Sequence, residues 1–144
     1  MIRSATEDDI AEIVVMGRKF HQASGFDDIP YNQDNAENTA FNLITGEDGI
    51  LLVDDGLNGV VGGLMYPLYF NGDLNGQELF WWVNESHRKT GLGRDLIIAF
   101  EAEVKLRGGK TVMMIALPHL GDQVQKYYRN NGYRPSEHSF IKVF

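Results

Sequence analysis

Apolar residues first fall into register at Ile10, Ile13, Val14, Gly17 and Phe20. This three- and four-residue spacing predicts an amphipathic helix running to about residue 21. Thr6, followed three residues later by Asp9, supplies an N-cap with acidic residues in the first turn, so the helix is expected to start near Thr6. Residues 23–35 are rich in Gly, Asp, Asn and Pro and read as a loop. Ala36, Ala40, Phe41, Leu43 and Ile44 then predict a second short helix.

From here the pattern changes to short apolar runs. Residues 49–53 read as a strand, Asp54-Asp55-Gly56 as a turn, and residues 60–70 as a second strand, together an antiparallel hairpin or meander. After a turn over 71–76, the aromatic and β-branched run 78–83 favours another strand. Leu92, Leu96, Ile97, Phe100, Val104 and Leu106 share a helical face, and Gly108-Gly109 supplies the stop. A buried strand over 111–117, a helix over 121–130 and a closing strand over 140–144 complete the reading. The expected fold is α/β: a mixed, mostly antiparallel central sheet of six to seven strands flanked by about four helices, with helices on both faces. With no internal repeat or linker, residues 1–144 are read as a single domain.

Composition narrows the chemistry. The chain has no cysteine, which removes disulfides, thiolate-bound zinc and a nucleophilic thiol, and its four histidines are too scattered to suggest a metal site. A formal net charge of −7 opposes nonspecific attraction to nucleic acid and anionic membranes and favours a cationic acceptor. Arg88, Lys89 and Arg94 nevertheless form a local basic patch. No apolar stretch has the length of a signal peptide or a membrane span, so a cytoplasmic location is expected.

That basic patch lies where residues 78–94 pass from a strand through a glycine turn into a helix. Glycines at 91 and 93 let backbone N–H groups approach an anion, and the helix start points its positive end there. The turn lacks the Gly-Lys-Ser/Thr of a Walker loop and the third glycine of a dinucleotide fingerprint, so nucleotide hydrolysis and hydride transfer lose support.

Arg88-x-x-Gly91-x-Gly93 after a strand ending at Val83 resembles the Arg/Gln-x-x-Gly-x-Gly/Ala signature of the GNAT N-acetyltransferases. Ile2-Arg3-x-Ala5-Thr6 before the first helix is similar to that family's opening, and Tyr128-Arg129-Asn130-Asn131-Gly132-Tyr133 to its closing element. The Phe80-Trp81-Trp82-Val83 strand and the late Gly-Tyr-Arg-Pro also resemble members encoded by tailed phages. The resemblance implies an acetyltransferase using acetyl-coenzyme A as cosubstrate and no metal. Its pyrophosphate would meet the backbone of Arg88, Lys89, Thr90, Gly91, Leu92, Gly93 and Arg94, and its pantetheine arm would lie along Trp82 and Val83. It also implies Tyr128 as the acid that protonates the departing thiolate. One departure stands at Gly121, where the family often carries an asparagine.

Amine acetylation also needs a base and an oxyanion donor. Glu78, at the start of the aromatic strand, is the first candidate base, acting directly or through water; His119 is the second. A solvated strand-end carboxylate and an ordinary loop histidine are the alternatives, as a core tyrosine is for Tyr128. Tyr127 exchanges with Tyr128 on a one-residue slip, and His21 and His87 carry less weight. The Val83 N–H would serve as oxyanion donor if the strand bulges there, and strand alternation sends Trp81 and Trp82 to opposite faces. Asp27, Asp28, Asp34 and Asp73 are either an attraction for a cationic amine or a solvated loop surface. The expected acceptor is a small-molecule or peptide primary amine, and a sheet edge with exposed aromatics allows a homodimer. The alternative function is a non-catalytic coenzyme A-binding sensor or interaction module.

Overall fold

The structure, a computed structural model, describes residues 1–119 and 122–144. The chain begins with β1 (Ile2–Ser4) and passes through a 3₁₀ turn (Glu7–Asp9) into α1 (Ile10–Ala23) and α2 (Gln33–Thr45). It continues through β2 (Gly49–Asp54), β3 (Gly59–Pro67) and β4 (Leu74–Val83), then a 3₁₀ turn (Glu85–His87) and α3 (Leu92–Leu106). β5 (Thr111–Met113) and α4 (Asp122–Asn130) follow. The strands form one sheet in the order β1-β2-β3-β4-β5. The first three pairings are antiparallel, and β4 with β5 is parallel. The parallel pair follows from the connection, because α3 carries the chain back across the sheet before β5 begins.

Both faces of the sheet are covered, and strand alternation divides the core between them. Leu51, Val53 and Val60 pack with Ile13, Met16, Ala40 and Leu43 of α1 and α2. Ile50, Leu52 and Val61 pack with Leu96, Phe100 and Val104 of α3. A strand buried on both sides loses its polar alternation, which is why 49–53 reads as one continuous apolar run. α1 is tied to β1 by Asp9, whose carboxylate takes both Arg3 guanidinium nitrogens, at 2.7 and 3.0 Å, and the Thr6 N–H at 2.8 Å. The Arg3 hydrogen bonds hold the Asp9 carboxyl down at about 2. α2 is capped by the Asn32 side chain, which accepts from the Asn35 N–H at 2.9 Å. No helix among the described residues is long and apolar enough to cross a membrane.

Among the described residues the sheet has five strands, not the expected six to seven. Residues 140–144 make no strand; Phe140 and Phe144 stand almost fully in solvent. Their alternation expresses a local β preference, but a strand exists only where another edge accepts its hydrogen bonds. The expected strand 111–117 closes after Met113, because the Ile115 N–H goes to a side chain of β4. β3 ends at Pro67, which has no N–H for a longer ladder, and the turn falls at residues 68–73. β4 therefore starts at Leu74, four residues before its aromatic core.

Gly63 faces α3, where an added Cβ would collide with the Gln77 carbonyl oxygen and the Phe100 ring. Since the Gln77 oxygen belongs to the neighbouring strand's backbone, the clash has no side-chain escape. Gly63→Val should lower stability by about 2 to 3 kcal/mol, read as a shift in urea midpoint at unchanged slope.

Candidate active site

β4 runs for ten residues, but β5 pairs only with Asn75, Gly76 and Gln77. From Glu78 onward the two strands part, and β4 keeps only its β3 partner among the described residues. A bulge starts the divergence. Gly62 pairs with Phe80 and Gly63 with Glu78, leaving Leu79 as the extra residue of β4. Without it, Gly76, Glu78, Phe80 and Trp82 would share one face. Instead Gly76 and Glu78 lie on the α3 side, since Cβ atoms added at Gly76 and Gly63 would meet Val104 and Phe100, whereas Phe80 crosses to the α1–α2 side beneath Gly62.

The bulge thereby delivers Glu78 to the fork between the strands. Its side chain is buried, at 3% exposure, and its Oε2 accepts the Ile115 N–H at 2.8 Å. Burial pushes its carboxyl up to about 7, with the Ile115 hydrogen bond opposing the shift. From α4, the Tyr128 hydroxyl donates to the carbonyl of the same residue, Ile115, at 3.1 Å. Burial, reinforced by the nearby Glu78 charge, moves the Tyr128 hydroxyl well above the ordinary phenol range, so it keeps its proton at any physiological pH. Asn131 and Tyr133 N–H groups both return to the Tyr128 carbonyl at 3.0 Å, and Gly132, at φ +88°, makes that reversal possible. Glu78 and Tyr128 thus converge on one residue, Glu78 at the Ile115 N–H and Tyr128 at its carbonyl. Tyr127 is only half-buried, and its ring meets that of Tyr128 edge-on at 6.1 Å.

The other candidates are placed differently. His119 Nε2 lies 2.7 Å from the Ala23 carbonyl oxygen, which makes it a donor and a tie between the segment after β5 and the end of α1. His21 Nε2 engages the Ile29 carbonyl, and the His87 ring meets Ser86 Oγ at 2.9 Å. Trp81 packs on the α3 side and Trp82 on the α1–α2 side, as alternation requires. Val83 is in regular pairing with Gly59, so the strand does not bulge there: the expected irregularity lies four residues earlier, at Leu79. Gly121 lies outside the described residues. Among those described, no cluster of His, Asp and Glu could hold a metal ion.

The glycine turn separates two roles that one motif had merged. Gly91 adopts φ +92° as the N-cap of α3, and a Cβ there would meet nothing nearer than the Arg94 guanidinium at 4.0 Å, so it is the backbone angle that requires glycine. At Gly93 an added Cβ would lie 3.0 Å from the Trp81 ring, so that glycine lets α3 settle onto β4. Lys89 also takes a positive φ, 67°. The Arg88 side chain is committed to structure: its Nε donates to the Val83 carbonyl at 3.0 Å and its guanidinium lies 4.6 Å from the centre of the Trp82 ring. Thr90 Oγ1 donates to the His87 carbonyl at 2.6 Å. The N–H groups of Gly93 and Arg94 open α3 and have no carbonyl one turn behind them, while the Arg94 side chain is exposed at 64%. This is a surface on which an anionic group can rest without displacing a side chain.

Sequence reasoning missed the Leu79 bulge and the bridging role of the Ile115 peptide. The glycine doublet Gly62-Gly63 within an apolar strand was the available signal for the bulge. Nothing local marks Ile115, whose partners lie 37 and 13 residues away.

An antiparallel meander that opens beside a parallel strand, with a glycine turn at the open end leading into a helix, defines an acyltransferase-type α/β fold. The acetyltransferase (GNAT) family profile matches residues 16–133, and the chain belongs to that family. Among solved structures, it superposes on a ribosomal-protein-alanine N-acetyltransferase from Brucella melitensis biovar Abortus 2308 with a TM-score of 0.76 at 20% identity, covering 100% of this chain and 98% of that one. A transcriptional regulator from Bacillus halodurans C-125 gives 0.81 at 20% identity, covering 100% and 99%. An aminoglycoside acetyltransferase from an uncultured soil metagenomic sample gives 0.74 at 15% identity, covering 100% and 94%. At these identities the likeness concerns the fold. No curated protein matches the chain in sequence.

Because the folded Glu78 titrates near 7 against an ordinary 4.5, the fold favours its protonated form. This contribution to stability is fully present below 4.5 and is lost as pH rises through 7. Glu78→Gln keeps an acceptor for Ile115 without the charge. It should exceed the parent's stability at pH 8 by on the order of 2 kcal/mol, with the gap closing near pH 4, measured by urea unfolding.

Proposed function

We propose that the protein transfers the acetyl group of acetyl-coenzyme A directly to a primary amine. The convergence of Glu78 and Tyr128 on Ile115, at the fork between β4 and β5, carries this reading. The pyrophosphate rests on the turn from Arg88 to Arg94, held mainly by the N–H groups that open α3. Of the proposed contacts, Arg88 acts through its backbone, since its side chain is engaged with Val83 and Trp82. The pantetheine arm follows β4 along Trp82 and Val83, where no β5 partner competes for it.

The amine must lose a proton before it attacks. Glu78, with a pKa near neutrality, accepts that proton directly or through one water. The nitrogen lone pair forms the new C–N bond at the thioester carbonyl carbon, the adduct nitrogen gives its second proton to water, and collapse of the tetrahedral adduct breaks the C–S bond. Tyr128 gives its hydroxyl proton to the departing thiolate and is reprotonated from solvent as Glu78 releases the proton it took. From a protonated amine the products are an amide, free coenzyme A and one proton released to solvent, so atoms and protons balance. His119 remains the second candidate base: with Nε2–H donated to the Ala23 carbonyl, Nδ1 is the ring nitrogen left to accept a proton.

Thiol release from acetyl-coenzyme A should be seen with a primary-amine panel. Tyr128→Phe should lower kcat by about 10²-fold while the KM for acetyl-coenzyme A stays within a few-fold. The parent's kcat/KM should climb with pH through about 7, and Glu78→Gln should remove that ascending limb. Binding of acetyl-coenzyme A without thiol release on any amine would identify a non-catalytic coenzyme A-binding module instead.

A further inference from the structure

β5 is the last strand of the sheet, and among the described residues only its β4 side is paired. The Lys110 N–H reaches the Leu74 carbonyl of β4 at 2.8 Å, so by alternation the N–H groups of Thr111 and Met113 point to the free edge. Residues 111–114, Thr-Val-Met-Met, carry none of the charges or prolines that usually blunt such an edge. A groove of about 690 Å³ lies beside it. Its walls include residues 111–114, Tyr128 and Arg129 of α4, and the chain's own residues 133–138.

A five-residue strand is about 17 Å long, about 4.8 Å from its neighbour and about 10 Å through its faces, roughly 800 Å³ in all, so the groove is of strand size. Residues 140–144, Phe-Ile-Lys-Val-Phe, are a strand-forming run with no strand partner among the described residues. Phe140 is 95% exposed, Ile141 59% and Val143 52%, and Phe144 is fully in solvent. The chain cannot fill its own groove with this run. Residues 133–138 already form a wall, and only Ser139 separates them from Phe140, whereas a tight hairpin reversal takes two residues. The free run and the free edge therefore meet between copies.

We infer that residues 140–144 of one copy enter the groove of a second and add to the free edge of its β5, and that the exchange is reciprocal, so a two-fold homodimer closes on itself. The area is sufficient. A phenylalanine buries about 150–250 Å², so the two from each copy remove on the order of 600–1,000 Å², and a similar loss from the walls they cover brings the total to the about 1,200–2,000 Å² of a stable interface. Tyr128 stands in the groove wall, so the inserted strand packs beside the residue proposed as general acid.

Sedimentation equilibrium of the parent should give twice the chain mass. Adjacent residues of a strand send their N–H groups to opposite edges, so the double variant Ile141→Pro, Lys142→Pro removes one ladder donor to β5 whichever way the run faces. Reciprocity loses two such bonds per dimer, and the dimer dissociation constant should rise by about tenfold or more. Both positions are exposed, so the far-UV circular dichroism should be unchanged. A second variant inserts Asn-Gly after Ser139, which supplies the missing turn and lets each run fold back beside its own β5. It should be monomeric while keeping the amide-exchange protection that residues 140–144 show in the parent. A parent that stays monomeric at about 0.1 mM, or a dimer whose affinity survives either variant, overturns the inference. Neither readout depends on acetyl transfer.

Discussion

The Leu79 bulge is the constraint on which the rest of the site depends. One extra residue in β4 reverses the faces of everything before it relative to everything after it. Glu78 is thereby moved to the α3 side, while Phe80 and Trp82 remain to close the core against α1 and α2. The same residue marks where β5 leaves the sheet, because its next N–H, on Ile115, is captured by Glu78 instead of a β4 carbonyl. The fork is therefore a replacement of ladder hydrogen bonds by side-chain ones, with Tyr128 satisfying the Ile115 carbonyl in the same way. Burying a carboxylate against one backbone donor is an incomplete exchange, which is why its pKa rises toward neutrality and why it is suited to moving a proton.

Regular elements with strong punctuation were legible in the sequence. α3 spans the expected residues because Gly91 opens it and the glycines after Arg107 close it. β2 follows from its continuous apolar run, and the opposed faces of Trp81 and Trp82 follow from strand alternation. What escaped were features decided by distant partners. The early part of β4 contains Asn75 and Gly76, which carry little β preference of their own but pair with Thr111 and Val112. The short β5 and the unpaired segment 140–144 depend on which edge is available, a quantity no local pattern encodes. The glycine turn was found for a correct reason at Gly91 and for an incomplete one at Gly93, where the need is helix-to-strand contact with Trp81.

The α3 side offers backbone donors and exposed positive charge at Arg94, suited to an anionic carrier. A net charge of −7 does not conflict with that assignment, because the attraction is local to the helix opening.

The central claim is that the opening of α3 receives acetyl-coenzyme A, and calorimetric titration tests it most directly. The parent should bind one acetyl-coenzyme A per chain, and Arg94→Glu, an exposed change that should leave the urea midpoint unmoved, should weaken binding by about tenfold or more. No binding by the folded parent, or equal affinity in the parent and Arg94→Glu, would contradict the account.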